Sequence, residues 1–158
     1  MSENPFTPLL GALTGATNAA YQAHWNARGR ASYSDHLLFE RIYKARRKEL
    51  DAAAEIGMIY GSVPSDLQWF GQDALNFAEK VAFERSVHVG IEPDSAEMDA
   101  LRQMILAELV VDQINDDLLP ELKSGGTRFL LATENLLGGV AQANLETIYL
   151  LKQRLSSL

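Results

Sequence analysis

AHWNARGRASYSDHLLFERIYKARRKELDAAAE, residues 23–55, carries five side chains of metal-ligand type: His24, His36, Glu40, Asp51 and Glu55. The last four belong to one long helical pattern. At ~100° per residue, with His36 set at zero, Glu40 falls at about 40°, Asp51 at about 60° and Glu55 at about 100°. All four therefore share one stripe. His36 with Glu40, and Asp51 with Glu55, are i,i+4 pairs whose side chains meet on a helix surface.

One chain cannot join the two pairs. His36 and Asp51 are about 22 Å apart along the helix at ~1.5 Å per residue, whereas a metal–ligand bond is about 2 Å. Two copies of the helix can join them. Laid antiparallel about a two-fold axis near Ala45 and Arg46, His36 faces Glu55 and Glu40 faces Asp51. That is the isologous contact of a C2 dimer, with two equivalent sites. His24, near the end of the preceding helix, would be brought beside His36 by a neighbouring helix. Taken singly, each acid reads as a solvated helix residue and each histidine as structural. The self-complementary spacing is what points to metal.

Outward from this stretch the chain reads as helices with short joins. The first runs from about Pro8 to Asn26, with Leu9, Leu10, Leu13, Ala20 and Tyr21 on its apolar side and Gly29 as its C-cap. The second starts at an N-cap Ser34 and ends near Tyr60, with Gly57 weakening its last turn. A segment with Leu67, Trp69, Phe70, Leu75, Phe77, Val81 and Phe83 supplies a shorter helical piece. Asp94 with Glu97 forms a capping-box start for a third long helix to about Leu122, its last turn disturbed by Pro120. After the Ser124-Gly125-Gly126 turn, the final helix spans about Thr127 to Leu155. The expected fold is all-α: one domain over residues 1–158, a ferritin-like four-helix bundle. Its long connection between helices two and three carries the extra helical segment and lets those two helices run parallel.

Composition narrows the chemistry. The 158 residues suit one buried core. Without cysteine, disulfides and thiolate sites are excluded, and any metal is held by His and carboxylate. Such ligands suit Fe, with Zn or Mn as substitutes, and disfavour copper(I) or iron–sulfur clusters. The net charge of -7 argues against a general nucleic-acid binder and is compatible with attracting cations. No Lys or Arg precedes Arg28, so no basic signal-peptide region is read, and no apolar run approaches the ~20 residues of a membrane span. The expectation is a cytoplasmic protein without membrane contact.

The same stretch resembles the signature region of the Dps family of mini-ferritins. There an HWN-x-x-G stretch precedes a second His, an acid four residues on, then an Asp and a Glu on the same helix. Here these stand as His24-Trp25-Asn26 with Gly29, then His36, Glu40, Asp51 and Glu55, without a gap. The final helix, from Gly126-Thr127 through Tyr149-Leu150-Leu151-Lys152, is similar at a lower level. The resemblance implies two-fold dimers assembled into a hollow dodecamer. It also implies a ferroxidase, an enzyme that oxidises Fe(II) with hydrogen peroxide, or more slowly oxygen, at di-iron sites between subunits. The ferric oxide would be stored inside, protecting against oxidative damage. Trp25 would lie beside the site; its alternative role is core packing.

The chain departs from that pattern at several points. Glu40 stands where the family usually has Asp, and Asn144 where a His-Glu pair often begins. Thr127, Arg128 and Phe129 replace the acidic residues that line the iron-uptake pore. Asp112, Asp116, Asp117 and Glu121 could form an acidic funnel, although a solvated helix face explains them better. The family's DNA binding uses a basic terminal tail, and this chain offers only Lys152 and Arg154 at its C-terminus, so DNA is not an expected partner. The cluster Arg41, Lys44, Arg46, Arg47 and Lys48 reads instead as salt-bridge partners for carboxylates across the two-fold axis. A di-iron site inside one bundle would need Glu-x-x-His motifs on two helices. None is found, since Glu84 and His88 are four apart. A ferritin-like structural or assembly subunit without efficient iron storage is the alternative reading.

Overall fold

A computed structural model describes residues 4–27, 32–61, 96–124 and 130–158. Among these lie four long helices: α1 (Thr7–Asn26), α2 (Ser32–Tyr60), α3 (Ala96–Ser124) and α4 (Leu130–Ser156). The expected helical segment after Gly61, the Gly29 cap, Asp94 and Thr127 lie outside the described residues.

Two boundaries differ from the sequence expectation. α2 begins at Ser32, so Ser34 is inside the helix rather than its N-cap. α3 continues past Pro120 to Ser124. Proline removes one N–H and so frees the carbonyl one turn back, on Asp116. Both residues are on the exposed face, where water can take that carbonyl. At the other end of the chain, Asn4 prepares the start of α1. Its Oδ1 accepts from the Phe6 N–H at 3.0 Å and its carbonyl accepts from the Thr7 N–H at 3.0 Å. Its Nδ2 donates to the Gly57 carbonyl at 2.9 Å, which ties the chain start to the end of α2.

Cross-helix contacts set the topology. Asn4 meets Gly57 while His24 meets His36, so α1 and α2 are antiparallel. Arg154 binds Asp35 while Tyr60 Oη lies 2.6 Å from Thr133 Oγ1, so α2 and α4 are antiparallel. Asn115 Nδ2 donates to the Leu137 carbonyl and Lys123 pairs with Glu134, so α3 and α4 are antiparallel. α2 and α3 therefore run parallel across the bundle diagonal, as the long connection requires. Helix neighbours are α1–α2, α2–α4, α4–α3 and α3–α1.

The core divides into two apolar clusters. One contains Phe6, Leu9, Leu10, Leu13, Ala53, Val111, Leu137 and Val140. The other contains Ala20, Phe39, Ile42, Leu101, Met104 and Leu151. On α2 the buried residues Asp35, Phe39, Ile42, Arg46 and Ala53 fall on one side of the wheel. The His36–Glu55 stripe lies on the opposite side. Packing thus turns the stripe of candidate ligands outward.

Candidate metal centre

The two histidines meet where the end of α1 crosses the start of α2. Their rings stack with centroids 3.5 Å apart and planes 28° from parallel. His24 Nδ1 lies 3.0 Å from the His36 carbonyl oxygen, and His36 Nδ1 lies 3.0 Å from the His24 carbonyl oxygen. A carbonyl can only accept, so each Nδ1 carries the proton and donates, which assigns the tautomer from the partner. In the neutral ring, each Nε2 then presents its lone pair. Ligating histidines are commonly held in this way, with the other ring nitrogen donating to a carbonyl or carboxylate.

Tyr43 buttresses the pair from α2, edge-on to His24 at 5.4 Å. Tyr21 stacks on Tyr43 at 4.0 Å and meets Trp25 at 5.6 Å. Trp25 is 69% exposed, so it is not core within one chain. It belongs to the surface beside the histidines.

Glu40 is half-buried and is closed onto Lys44 at 2.5 Å. The hydrogen bond and charge of Lys44 hold its carboxyl below the usual range, with smaller contributions from His24 and His36. Glu40 is thus electrically close to both imidazoles while its carboxylate is turned to lysine. Asp51 and Glu55 are exposed, further along the same face of α2. Among the described residues no three His, Asp or Glu side chains stand close enough within one chain to hold a metal. The chain brings His24, His36 and the neighbourhood of Glu40 together, and leaves Asp51 and Glu55 more than ~20 Å along the helix from His36.

The basic cluster separates into different environments. Lys44 pairs with Glu40 of its own chain, and Arg47 Nη1 is 3.4 Å from Tyr21 Oη. Arg41 and Lys48 are exposed. Arg46 does not belong with them: it is fully buried, paired with Glu49 of α2 and, at 2.9 Å, with Glu108 of α3. Reading it as a surface partner for carboxylates is corrected by the helix wheel, on which it shares the side of Phe39 and Ala53. That angle was the available signal; Glu108 lies in no motif. Burial pushes both Glu49 and Glu108 up to about 7, against the opposing pull of Arg46. Of the possible acidic funnel, Asp116, Asp117 and Glu121 are exposed. Asp112 is partly buried, and its carboxyl is raised first by burial and then by Asp116. Asn144 is buried and donates through Nδ2 to the Glu108 carbonyl at 3.3 Å.

The stripe is also apolar at its ends. Tyr33 is 76% exposed and Met58 69%, with Leu37 and Ile59 also exposed. The antiparallel register that sets His36 opposite Glu55 sets Tyr33 opposite Met58.

No family model matches the sequence, and no curated protein matches it. Among solved structures, the chain is similar to a mutant of Mycobacterium smegmatis Dps1. The TM-score is 0.71 at 15% sequence identity, covering 98% of this chain and 99% of that one. At that identity the likeness speaks for backbone arrangement rather than for side-chain chemistry. No described helix is long and apolar enough to cross a membrane. The chain has an all-α, ferritin-like four-helix fold, similar to that of this Dps1.

Proposed function

We propose that this chain is a Dps-like ferroxidase and iron-storage subunit. Two copies, antiparallel along α2, share two equivalent sites, and further copies close a hollow homo-oligomer, in the family's pattern a dodecamer. Each site takes His24, His36 and Glu40 from one chain and Asp51 and Glu55 from its partner. The observation that carries the reading is the reciprocal histidine pair, whose protons are committed to two backbone carbonyls so that both Nε2 atoms stay available to a cation. The exposed apolar ends of the stripe support the shared interface, because isolated chains rarely leave such surface uncovered.

The substrates are Fe(II) and hydrogen peroxide. Two Fe(II) give one electron each, the O–O bond of peroxide breaks, and two protons complete two waters, leaving two Fe(III). Holding the irons together lets both electrons leave in one event, so no hydroxyl radical is released. The two imidazoles supply neutral nitrogen donors, and the three carboxylates offset the charge gained on oxidation. Glu55 faces His36 and is the natural bridge between two ions. Lys44 must yield Glu40 when iron arrives. That exposed pair is a minor obstacle, since such pairs contribute little in water.

The test is complementation between defective chains. Fe(II) is mixed anaerobically with peroxide and ferric absorbance is followed. Wild type is expected to outpace the protein-free control, and His36→Ala and Asp51→Ala are each expected to fall to it. Assemblies refolded from an equal mixture of the two variants should recover about a quarter of the wild-type sites, because half the dimers are mixed and each mixed dimer has one intact site. No recovery in a correctly sized assembly would reject the shared site. A wild-type rate equal to the control would reject the ferroxidase and leave a structural assembly subunit.

A further inference from the structure

Between the two apolar clusters lies one polar layer, to which every helix contributes. Thr17 of α1, Arg46 and Glu49 of α2, Glu108 of α3 and Asn144 of α4 occupy the boundary, and all but Glu49 are buried. Thr17 turns its hydroxyl to the Leu13 carbonyl of its own helix, and Asn144 serves the Glu108 main-chain carbonyl and the Asp112 carboxylate, which leaves Arg46, Glu49 and Glu108 as the charged centre of the layer. Arg46 and Glu108 are each 0% exposed, and their 2.9 Å pair spans the bundle diagonal between two helices that are not neighbours. Two carboxylates converge on one guanidinium. Glu108 Oε2 takes the Arg46 contact, while Glu108 Oε1 and Asn144 Oδ1 are buried without a hydrogen-bond partner.

Ferritin-like di-iron proteins build their metal centre in the bundle core, from carboxylates that project inward from facing helices. The residues present do not fit one: arginine stands in its middle, and no Glu-x-x-His pair is there. We infer that the Arg46 guanidinium is a built-in cation that takes the place of a metal ion in the bundle core and keeps divalent ions out of it. Arginine suits this role because it stays charged at any working pH and its planar fork meets carboxylates from two directions. Hard oxygen donors such as Glu49, Glu108 and the Asn144 amide otherwise suit Mn(II), Fe(II) or Mg(II). A tethered guanidinium cannot be diluted away, so a free ion would have to displace it while leaving it buried and unpaired. The consequence that iron is handled only between subunits rests on the function proposed above; the exclusion itself does not.

Mn(II), which peroxide-free buffer leaves unoxidised, is the probe. Bound Mn(II) per chain is counted after equilibrium dialysis of the assembled protein. Arg46→Ala is expected to bind one more ion per chain than wild type, and adding Glu108→Gln should remove it again. Arg46→Gln, which keeps much of the side-chain length without the charge, serves if Arg46→Ala does not fold, and the same gain is expected. A folded Arg46 variant that gains no ion overturns the inference. So does a wild-type background in which Glu108→Gln loses an ion, since the core would then already admit metal. Neither count depends on whether the protein oxidises iron, so ferroxidase and core exclusion fail separately.

Discussion

Replacing Glu108 by Gln should change how stability depends on pH more than it changes stability itself. In the folded chain Glu108 is pushed by burial from 4.5 up to about 7, with Arg46 pulling the other way and Glu49 and Asp112 adding repulsion. A carboxyl whose folded value is raised binds its proton more tightly when folded. Its stabilising contribution is complete below 4.5 and is lost as the pH rises through about 7. The rise of ~2.5 units, at ~1.4 kcal/mol each, amounts to about 3 kcal/mol for one proton. Glu49 is raised to about 7 as well, and one guanidinium serves both carboxyls, so they titrate as a pair. Glutamine keeps the shape, removes the excess negative charge and leaves Arg46 with Glu49. Wild type should therefore lose up to about 3 kcal/mol relative to Glu108→Gln between pH 5 and pH 8. Urea unfolding at several pH values, at one fixed subunit concentration because assembly is linked to stability, reads this directly. Parallel curves for the two proteins would refute the reasoning, because the layer would then carry no proton that the unfolded chain lacks.

Asp35 is buried and grips Arg154 through two oxygens, at 2.5 and 3.1 Å. Asp35→Ala should cost roughly 3–5 kcal/mol in chemical denaturation, as breaking a buried pair does. Leu13, fully buried in the larger cluster, should cost about 2–5 kcal/mol when cut to Ala, seen as a lower urea midpoint with unchanged slope. Tyr60→Phe removes the 2.6 Å bond to Thr133 and should cost about 1 kcal/mol in the same measurement. Lys44→Ala frees the Glu40 carboxyl from the neighbour that holds it low. The pH below which metal binding at the proposed His24–His36 site fades should then move upward, as followed by Co(II) absorbance. A fade point that stays put would show that Glu40 is not a ligand.

Much of the helical frame was legible because amphipathic spacing is local. The buried face of α1, with Leu9, Leu10, Leu13 and Ala20, follows directly from 3.6-residue periodicity. Helix ends were less legible. Ser34 has the chemistry of an N-cap, but the chain continues helically from Ser32. Pro120 has the chemistry of a terminator, but it lies in the exposed final turns of α3, where its lost hydrogen bond is cheap.

The sequence by itself determined that His36, Glu40, Asp51 and Glu55 share one face of one helix and that one chain cannot close them on a single ion. Fixed rise and twist per residue are enough for that. It also excluded thiolate chemistry, since there is no cysteine. Only the tertiary structure decided which way that face points, and that the two imidazoles lock onto each other's carbonyls. It alone removed Arg46 from a run of surface basic residues and placed it against Glu108, 62 positions away. A linear run of charges carries no record of the diagonal across a bundle, where two buried side chains from non-adjacent helices meet only after all four helices have packed.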